Sequence, residues 1–597
     1  MVKVCLSIPI DIFDAQKNEP STIYLRNKFE KNKPERNNTA IACNRFFVFD
    51  GLHYIPSEEF MYKNKDSKSF FMVLTDRELL NIEEYAVRYN VKVCSLESYY
   101  PFLSDIKYND DLKINFDYLL ETIRYVKSLG FKGHSFSKEV TKNFRKTLLN
   151  KIFMKSEYDS KFYFSYSGPC QEVFRFCEKR EDRTIVALDF NSMFASCLQG
   201  EFINPKGIEF KSIKSAYDGR SELPHGIYKV FLSNPKSSFI RNYHPFRLIK
   251  DFKRYPFSLS GINEIETILH KEEIEYYSSH FSNIWIDTGY VSISNIGHPL
   301  YKSSTVLYKK RLRSKNQGKK TLEKKYKLKL AMLHSITNSK CFKSKIFSEL
   351  NQISRFLRME FGVNLDFSNK NAVKNFFKSS HFSLIRKPQG FLLRHIDIYS
   401  KFSIYSLSSQ VMAKVRVKML TLLEELLSIE KVELCYINTD CVHVSFPKIV
   451  EECFWQKIEH LVGDELGKLK VEAVADSGYW FDVGRYFLYK NNKVIKFSNS
   501  GLNHRGNSKP FLLTKPILTR YESENFLHIT KEYSHFSNLL SYSKKLEQMT
   551  EYSDYVRFTA AQILDATSII SLEQSERENS SKIKSVTYLS LMQSYNI

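Results

Sequence analysis

Two strand-forming runs, LCYI and CVHVSF, flank Asn438-Thr439-Asp440, and no other stretch constrains the chain as tightly. Turn-forming residues between β-rich runs predict an antiparallel hairpin with Asp440 at its tip. Much earlier, the apolar run TIVAL leads into Asp189 and then NSMFAS, a polar, small-residue segment suited to opening a helix near bound phosphates. An acid at a strand end usually caps a turn or a helix, so neither aspartate alone argues for chemistry.

The 597 residues exceed one ordinary core, so three or more cooperating subdomains are expected. With 43% hydrophobic and 14% aromatic residues, the chain reads as mostly ordered. Lys and Arg outnumber Asp and Glu by 89 to 66, a formal charge of +23 that favours a polyanionic partner, nucleic acid first. A codon bias toward Lys, Asn, Phe, Ile and Tyr would give the same excess. The 10 cysteines form no CxxC pair, against a zinc ribbon or disulfide framework and in favour of a reducing compartment. No apolar run approaches a membrane span, and MVKVCLSIPIDIFDAQ carries acids where a signal peptide needs an apolar stretch, so a soluble intracellular protein without a membrane partner is expected.

Along the chain, residues 1 to 75 read as polar and broken scaffold. TDRELLNIEEYAVRYN predicts a helix opened by a capping box of Thr75 and Glu78. NFDYLLETIRYVKSLG and SFSKEVTKNFRKTLLNKIF predict two amphipathic helices that pack together. A basic helical pair is expected over 303–345, split at Gln317 and Gly318, and a long helix over 402–429. Between Lys309 and Lys329 stand 11 basic residues against the single acid Glu323. Such a run is a solvated face, a targeting signal or a polyanion contact. The end, SLEQSERENSSKIKS, reads as a mobile tail.

Joining a nucleotide to a primer needs two divalent ions, and therefore carboxylates converging from distant segments. In this light Asp189-Phe190-Asn191-Ser192-Met193-Phe194-Ala195-Ser196 resembles motif A of the family B DNA polymerases, D-x-x-S-L-Y-P-S. Tyr436-Ile437-Asn438-Thr439-Asp440-Cys441 is similar to their motif C, Y-x-D-T-D-S. Leu333-His334-Ser335-Ile336-Thr337-Asn338 partly resembles motif B, K-x-x-x-N-S-x-Y-G, with Lys329 one residue too far upstream for the lysine. The likeness runs from about 155 to 510 and is closest to the protein-primed branch found in phages and linear plasmids.

The resemblance implies a right hand of palm, fingers and thumb in an α+β fold, preceded by a reduced exonuclease-like domain. The expected boundaries are 1–155 for that domain, 156–302 for the palm with motif A and 303–345 for the fingers. Residues 346–510 would continue the palm with motif C, and 511–597 would form the thumb and tail. It implies Asp189 and Asp440 as catalytic residues, and Asp189, Phe190 and Asp440 as the positions holding two Mg2+ or Mn2+ ions. Ser192, Met193, Phe194, Arg311 and Lys329 would bind the nucleotide, Arg311 and Lys329 by neutralising its triphosphate. Phe194 stands for a tyrosine that excludes a 2′-hydroxyl; the ring is kept and the phenol is lost. Asn438 replaces the first acid of motif C, which implies either altered metal use or a decayed enzyme.

Tyr166-Ser167-Gly168-Pro169 resembles the Y-x-G-G loop that contacts template, giving Tyr166 and Gly168 as DNA-binding positions, or else a structural turn. Tyr486 matches the tyrosine of K-x-Y, with Gly484 in place of the lysine and Arg485 as the substitute cation toward the primer. For the exonuclease, Asp117 is kept but Lys113 replaces the tyrosine, and Asp76-Arg77-Glu78 reads better as a helix cap than as D-x-E. A polymerase without proofreading is expected, with primed DNA and dNTPs as partners and, from the branch, a terminal protein as primer. Two rivals stay open: an untemplated or RNA-using nucleotidyltransferase, and a catalytically dead DNA-binding module.

Overall fold

The structure is a computed structural model. It describes residues 22–24 and most of 38–499; outside it lie 66–68, 104–105, 107, 166–169, 176, 179, 237–238, 241–263, 339–341, 380–381, 388–389, 397–402, 483 and 492. The expected Y-x-G-G loop at 166–169, including Tyr166 and Gly168, and the expected thumb at 511–597 fall outside the described residues.

The first unit begins with β1 (Asn38–Ala40), β2 (Ala42–Cys43), β3 (Phe47–Phe49), β4 (Tyr54–Pro56) and α1 (Ser57–Lys63). β5 (Phe70–Val73), α2 (Asp76–Arg88) and β6 (Lys92–Ser95) follow, then α3 (Leu112–Ser128) and α4 (Phe136–Leu149). β1, β5 and β6 form a parallel sheet, while β2, β3 and β4 form an antiparallel meander. The segment read as broken scaffold thus contains strands, each too short to display a period of two. The capping box is present: Thr75 accepts from the Glu78 amide, and Glu78 accepts from the Thr75 amide. Helices α3 and α4 share one apolar cluster through Leu119, Val126, Val140 and Phe144.

The central sheet is antiparallel, with strands β7 (Gln171–Val173), β8 (Arg183–Phe190), β16 (Glu433–Asn438), β17 (Cys441–Pro447) and β18 (Leu469–Ala475) in the order β18-β8-β17-β16-β7. Strand β8 is buried from Arg183 to Leu188 because it is central and covered on both faces. Alternation sends Val186, Leu188 and Phe190 to one face and Ile185 and Ala187 to the other. Behind the first face runs α11 (Tyr405–Leu427), buried through Val411, Val415 and Met419. Asp159 caps it, accepting from the Tyr405 and Ser406 amides and from the Ser406 hydroxyl, while its own partner Lys155 is completely buried. Over the second face lie β19 (Ser477–Asp482), β20 (Arg485–Lys490) and β21 (Lys493–Asn499).

After the short α5 (Met193–Ser196), another antiparallel sheet orders β9 (Ile208–Ala216), β12 (Phe281–Ser292), β10 (Gly226–Pro235) and β11 (Glu264–His270), with α6 (Lys271–Tyr277) between β11 and β12. The basic pair then forms as α7 (Tyr301–Asn316) and α8 (Lys320–Leu333). They break where the sequence predicts, with Gly318 at a φ of 67°. The next residues build a small unit of β13 (Phe342–Phe347), α9 (Leu350–Phe361), α10 (Lys370–Ser379), β14 (Phe382–Lys387) and β15 (Gly390–Ile396). It has its own core of Phe347, Ile353, Leu357, Phe376 and Leu393, whereas the sequence reading ran one palm segment from 346 to 510. Its sheet, ordered β13-β15-β14, is separate from the central one.

Candidate active site

The hairpin β16–β17 turns at Thr439-Asp440, with Thr439 at a φ of 65°. Register brings Asp189 of β8 opposite Cys441 of β17 on one side and opposite Lys470 of β18 on the other. A main-chain bond of 2.8 Å from the Phe190 amide to the Asp440 carbonyl locks the two acid-bearing segments together. Asp189 and Asp440 are therefore neighbours at one end of the sheet, although the chain separates them widely.

Both carboxyls are only partly exposed. Burial first, and then the negative charge of Asp440, pushes Asp189 up to about 7. Lys496, Lys327 and Lys470 act on it in the opposite direction. Asp440 is also raised, mainly by burial, with Lys327 opposing. Such a pair of hard oxygen donors fits divalent cations whose remaining ligands come from a substrate. Among the described residues no third His, Cys, Asp or Glu completes a metal cluster. Asn438 accepts through its main-chain oxygen from the Asp440 amide at 2.8 Å. The Phe190 ring is buried on the other face with the Lys418 ammonium 5.0 Å from its centre, so only its main-chain carbonyl suits a cation.

Ser192 takes a left-handed conformation, φ 54° and ψ 56°, ahead of α5, and its hydroxyl accepts from the Arg311 guanidinium at 3.1 Å. Met193 is buried core. The Phe194 ring lies flat on the His334 imidazole, centroids 4.0 Å apart and planes 13° from parallel.

Lys329 does not join this group. It lines a cleft of about 360 Å³ between α4 and α7, with Val140, Phe144, Lys302 and Val306, and its ammonium is 5.8 Å from the Phe131 ring. Lys327 instead acts on both aspartates, because two residues along a helix turn a side chain through about 200°. A helical wheel of α8 carries that signal; the motif spacing does not. Lys470 was legible only through sheet register, and Lys496 only through the packing of β21 on the second face. Lys496 pairs with Glu472, which also lies 3.7 Å from Lys470.

Tyr486, read as a primer contact, is buried against His443 and Tyr436, with ring centroids 4.6 and 5.3 Å away. Its neighbour Arg485 opens β20, paired with Asn499 and Asp482. In the first unit, Asp76 accepts from the Ser95 and Ser98 hydroxyls, Glu78 is consumed by the capping box, and Asp117 is exposed on α3.

No family model and no curated protein matches the sequence. Among solved structures, the chain is similar to phi29 DNA polymerase complexed with primer-template DNA and incoming nucleotide substrates, at 12% identity over 70% of each chain and a TM-score of 0.46. It is also similar to phi29 DNA polymerase complexed with single-stranded DNA, at 14% identity over 68% of this chain and 70% of that one, with a TM-score of 0.43. The family B DNA polymerase of the hyperthermophilic archaeon Pyrobaculum calidifontis overlaps at 9% identity over 65% of this chain and 35% of its own, with a TM-score of 0.25.

Proposed function

We propose that the chain is a template-directed DNA polymerase that adds dNTPs to a primer 3′-hydroxyl. The observation that carries this reading is the register that sets Asp189 beside the Asp440 turn, within the electrostatic reach of Lys327 on a basic helix. Two bound Mg2+ or Mn2+ ions would activate the attacking hydroxyl and neutralise the triphosphate. Asp189, Asp440 and the Phe190 carbonyl would hold them. Arg311, already anchored on Ser192, and Lys327 would bind the triphosphate, and the Phe194 ring would lie under the sugar. The primer 3′-oxygen would lose its proton to solvent and bond to the α-phosphorus as the bond from that phosphorus to the oxygen bridging to the β-phosphate breaks, and pyrophosphate would leave with the electron pair.

Absence of proofreading belongs to the same reading, since Glu78 serves a helix cap and Asp117 stands apart on α3. Priming by a terminal protein rests on the branch that the motifs resemble. Asn438 and the lack of a third carboxylate among the described residues favour a second reading, a DNA-binding module without catalysis.

Primer extension on a defined template with Mg2+ or Mn2+ separates the two. Templated dNTP addition that falls by about a thousandfold in Asp189→Asn and in Asp440→Asn supports the polymerase. Homopolymer tailing without template would point to an untemplated transferase. Intact DNA binding with no extension in either metal would leave the binding module.

A further inference from the structure

We propose that His334 sets the sugar specificity of the site by holding the Phe194 ring in place. The inference deepens the polymerase reading and rests on it. Phe194 is the second residue of α5, whose first residue Met193 is buried and whose entry at Ser192 is tied to Arg311. The loop is thus gripped from α7, but the phenyl ring itself is gripped by His334, which follows α8 directly and opens the 3-10 turn His334–Ile336.

A phenylalanine side chain has two torsions, and both matter here. An aromatic plane 4.0 Å away and 13° from parallel blocks rotation of the ring about its own axis and its swing toward α8. The backbone that carries the imidazole is held in turn, since the Thr337 hydroxyl donates to the His334 main-chain carbonyl at 3.0 Å and the Ile404 amide donates to the Thr337 carbonyl at 2.8 Å, and the imidazole itself is buried. Burial pushes the His334 pKa down to about 4, so the ring meeting Phe194 near neutral pH is uncharged.

Phe194 has no hydroxyl with which to sense a sugar, so it can exclude a 2′-hydroxyl only by occupying the space. A wall that works by occupancy fails when it is free to move. His334 is therefore a positioning residue: it need not touch the nucleotide, and its loss admits the larger sugar.

The test measures kcat/KM for single dNTP and rNTP additions with the full chain and four proteins: wild type, His334→Ala, His334→Leu and His334→Phe. The dNTP-to-rNTP ratio is expected to fall about 10- to 100-fold in the Ala and Leu variants and to return toward wild type in the Phe variant, which restores a plane. The Leu variant fills the site without a plane, so it guards against collapse in the Ala variant. An equal loss of dNTP and rNTP efficiency in both, leaving the ratio unchanged, would mark a merely structural histidine and overturn the inference. Absence of templated addition by wild type would instead overturn the polymerase reading beneath it.

Discussion

At the scale of single residues, His443 couples the site to the core. Its Nδ1 accepts from the Trp480 indole at 2.8 Å, and Cys441, next to Asp440, lies 3.2 Å from its Nε2. Burial, and next Lys496, pushes the His443 pKa down to about 3 from the ordinary 6.5. The fold favours the neutral ring, so this contribution is complete above pH 6.5 and is lost as pH falls toward 3. Between pH 8 and pH 5 it amounts to about 2 kcal/mol. A His443→Phe variant is expected to be less stable at pH 8 by about 1–3 kcal/mol, because the Trp480 N–H loses its acceptor, and to show a correspondingly weaker acid dependence. Urea midpoints at the two pH values check both. The two lysines of α8 give a second expectation: Lys327→Ala should raise the KM for dNTP about tenfold, while Lys329→Ala should leave KM in place. Equal KM values in the two variants would overturn the assignment of roles. The aspartates were legible in the sequence because strand, acid and turn are adjacent there. Lys327 was not, because its direction depends on helix phase and on what packs against each side.

At the scale of elements, α11 is the spine behind the central sheet, and its N-terminus rests on a buried charge. Asp159 satisfies two α11 amides and the fully buried Lys155 at 2.9 Å, and Lys155 also donates to the Ser403 carbonyl at 2.7 Å. Asp159→Ala removes the cap and strands a buried ammonium, for an expected loss of about 3–5 kcal/mol by chemical denaturation. The double variant Lys155→Met with Asp159→Leu should recover part of that loss; an equal loss in both would place the effect in the cap alone. The long helix, the basic pair and the hairpin were all readable, each being long or punctuated by Gly, Asn or Asp. The strands between Asn38 and Pro56 were not, and neither was the unit starting at β13, whose strands and helices are too short to announce a boundary.

For the whole molecule, the formal charge of +23 matters only where cations are presented to a partner. On α7, Lys309, Lys310 and Arg313 are exposed. If this face meets phosphates, replacing all three by Gln should lower the slope of log affinity for DNA against log salt by about one unit per contact removed. An unchanged slope would place the DNA elsewhere. Another whole-molecule property follows from the separately packed unit between α8 and α11. Its first and last paired residues, Phe342 and Ile396, lie opposite each other on adjacent strands, about 5 Å apart. The chain thus leaves and re-enters at nearly one point, the geometry of a cassette. A recombination event that deleted, lengthened or exchanged this unit would need only to rejoin two neighbouring ends. At this junction a change in length would leave the threading of the sheet bearing Asp189 and Asp440 unaltered.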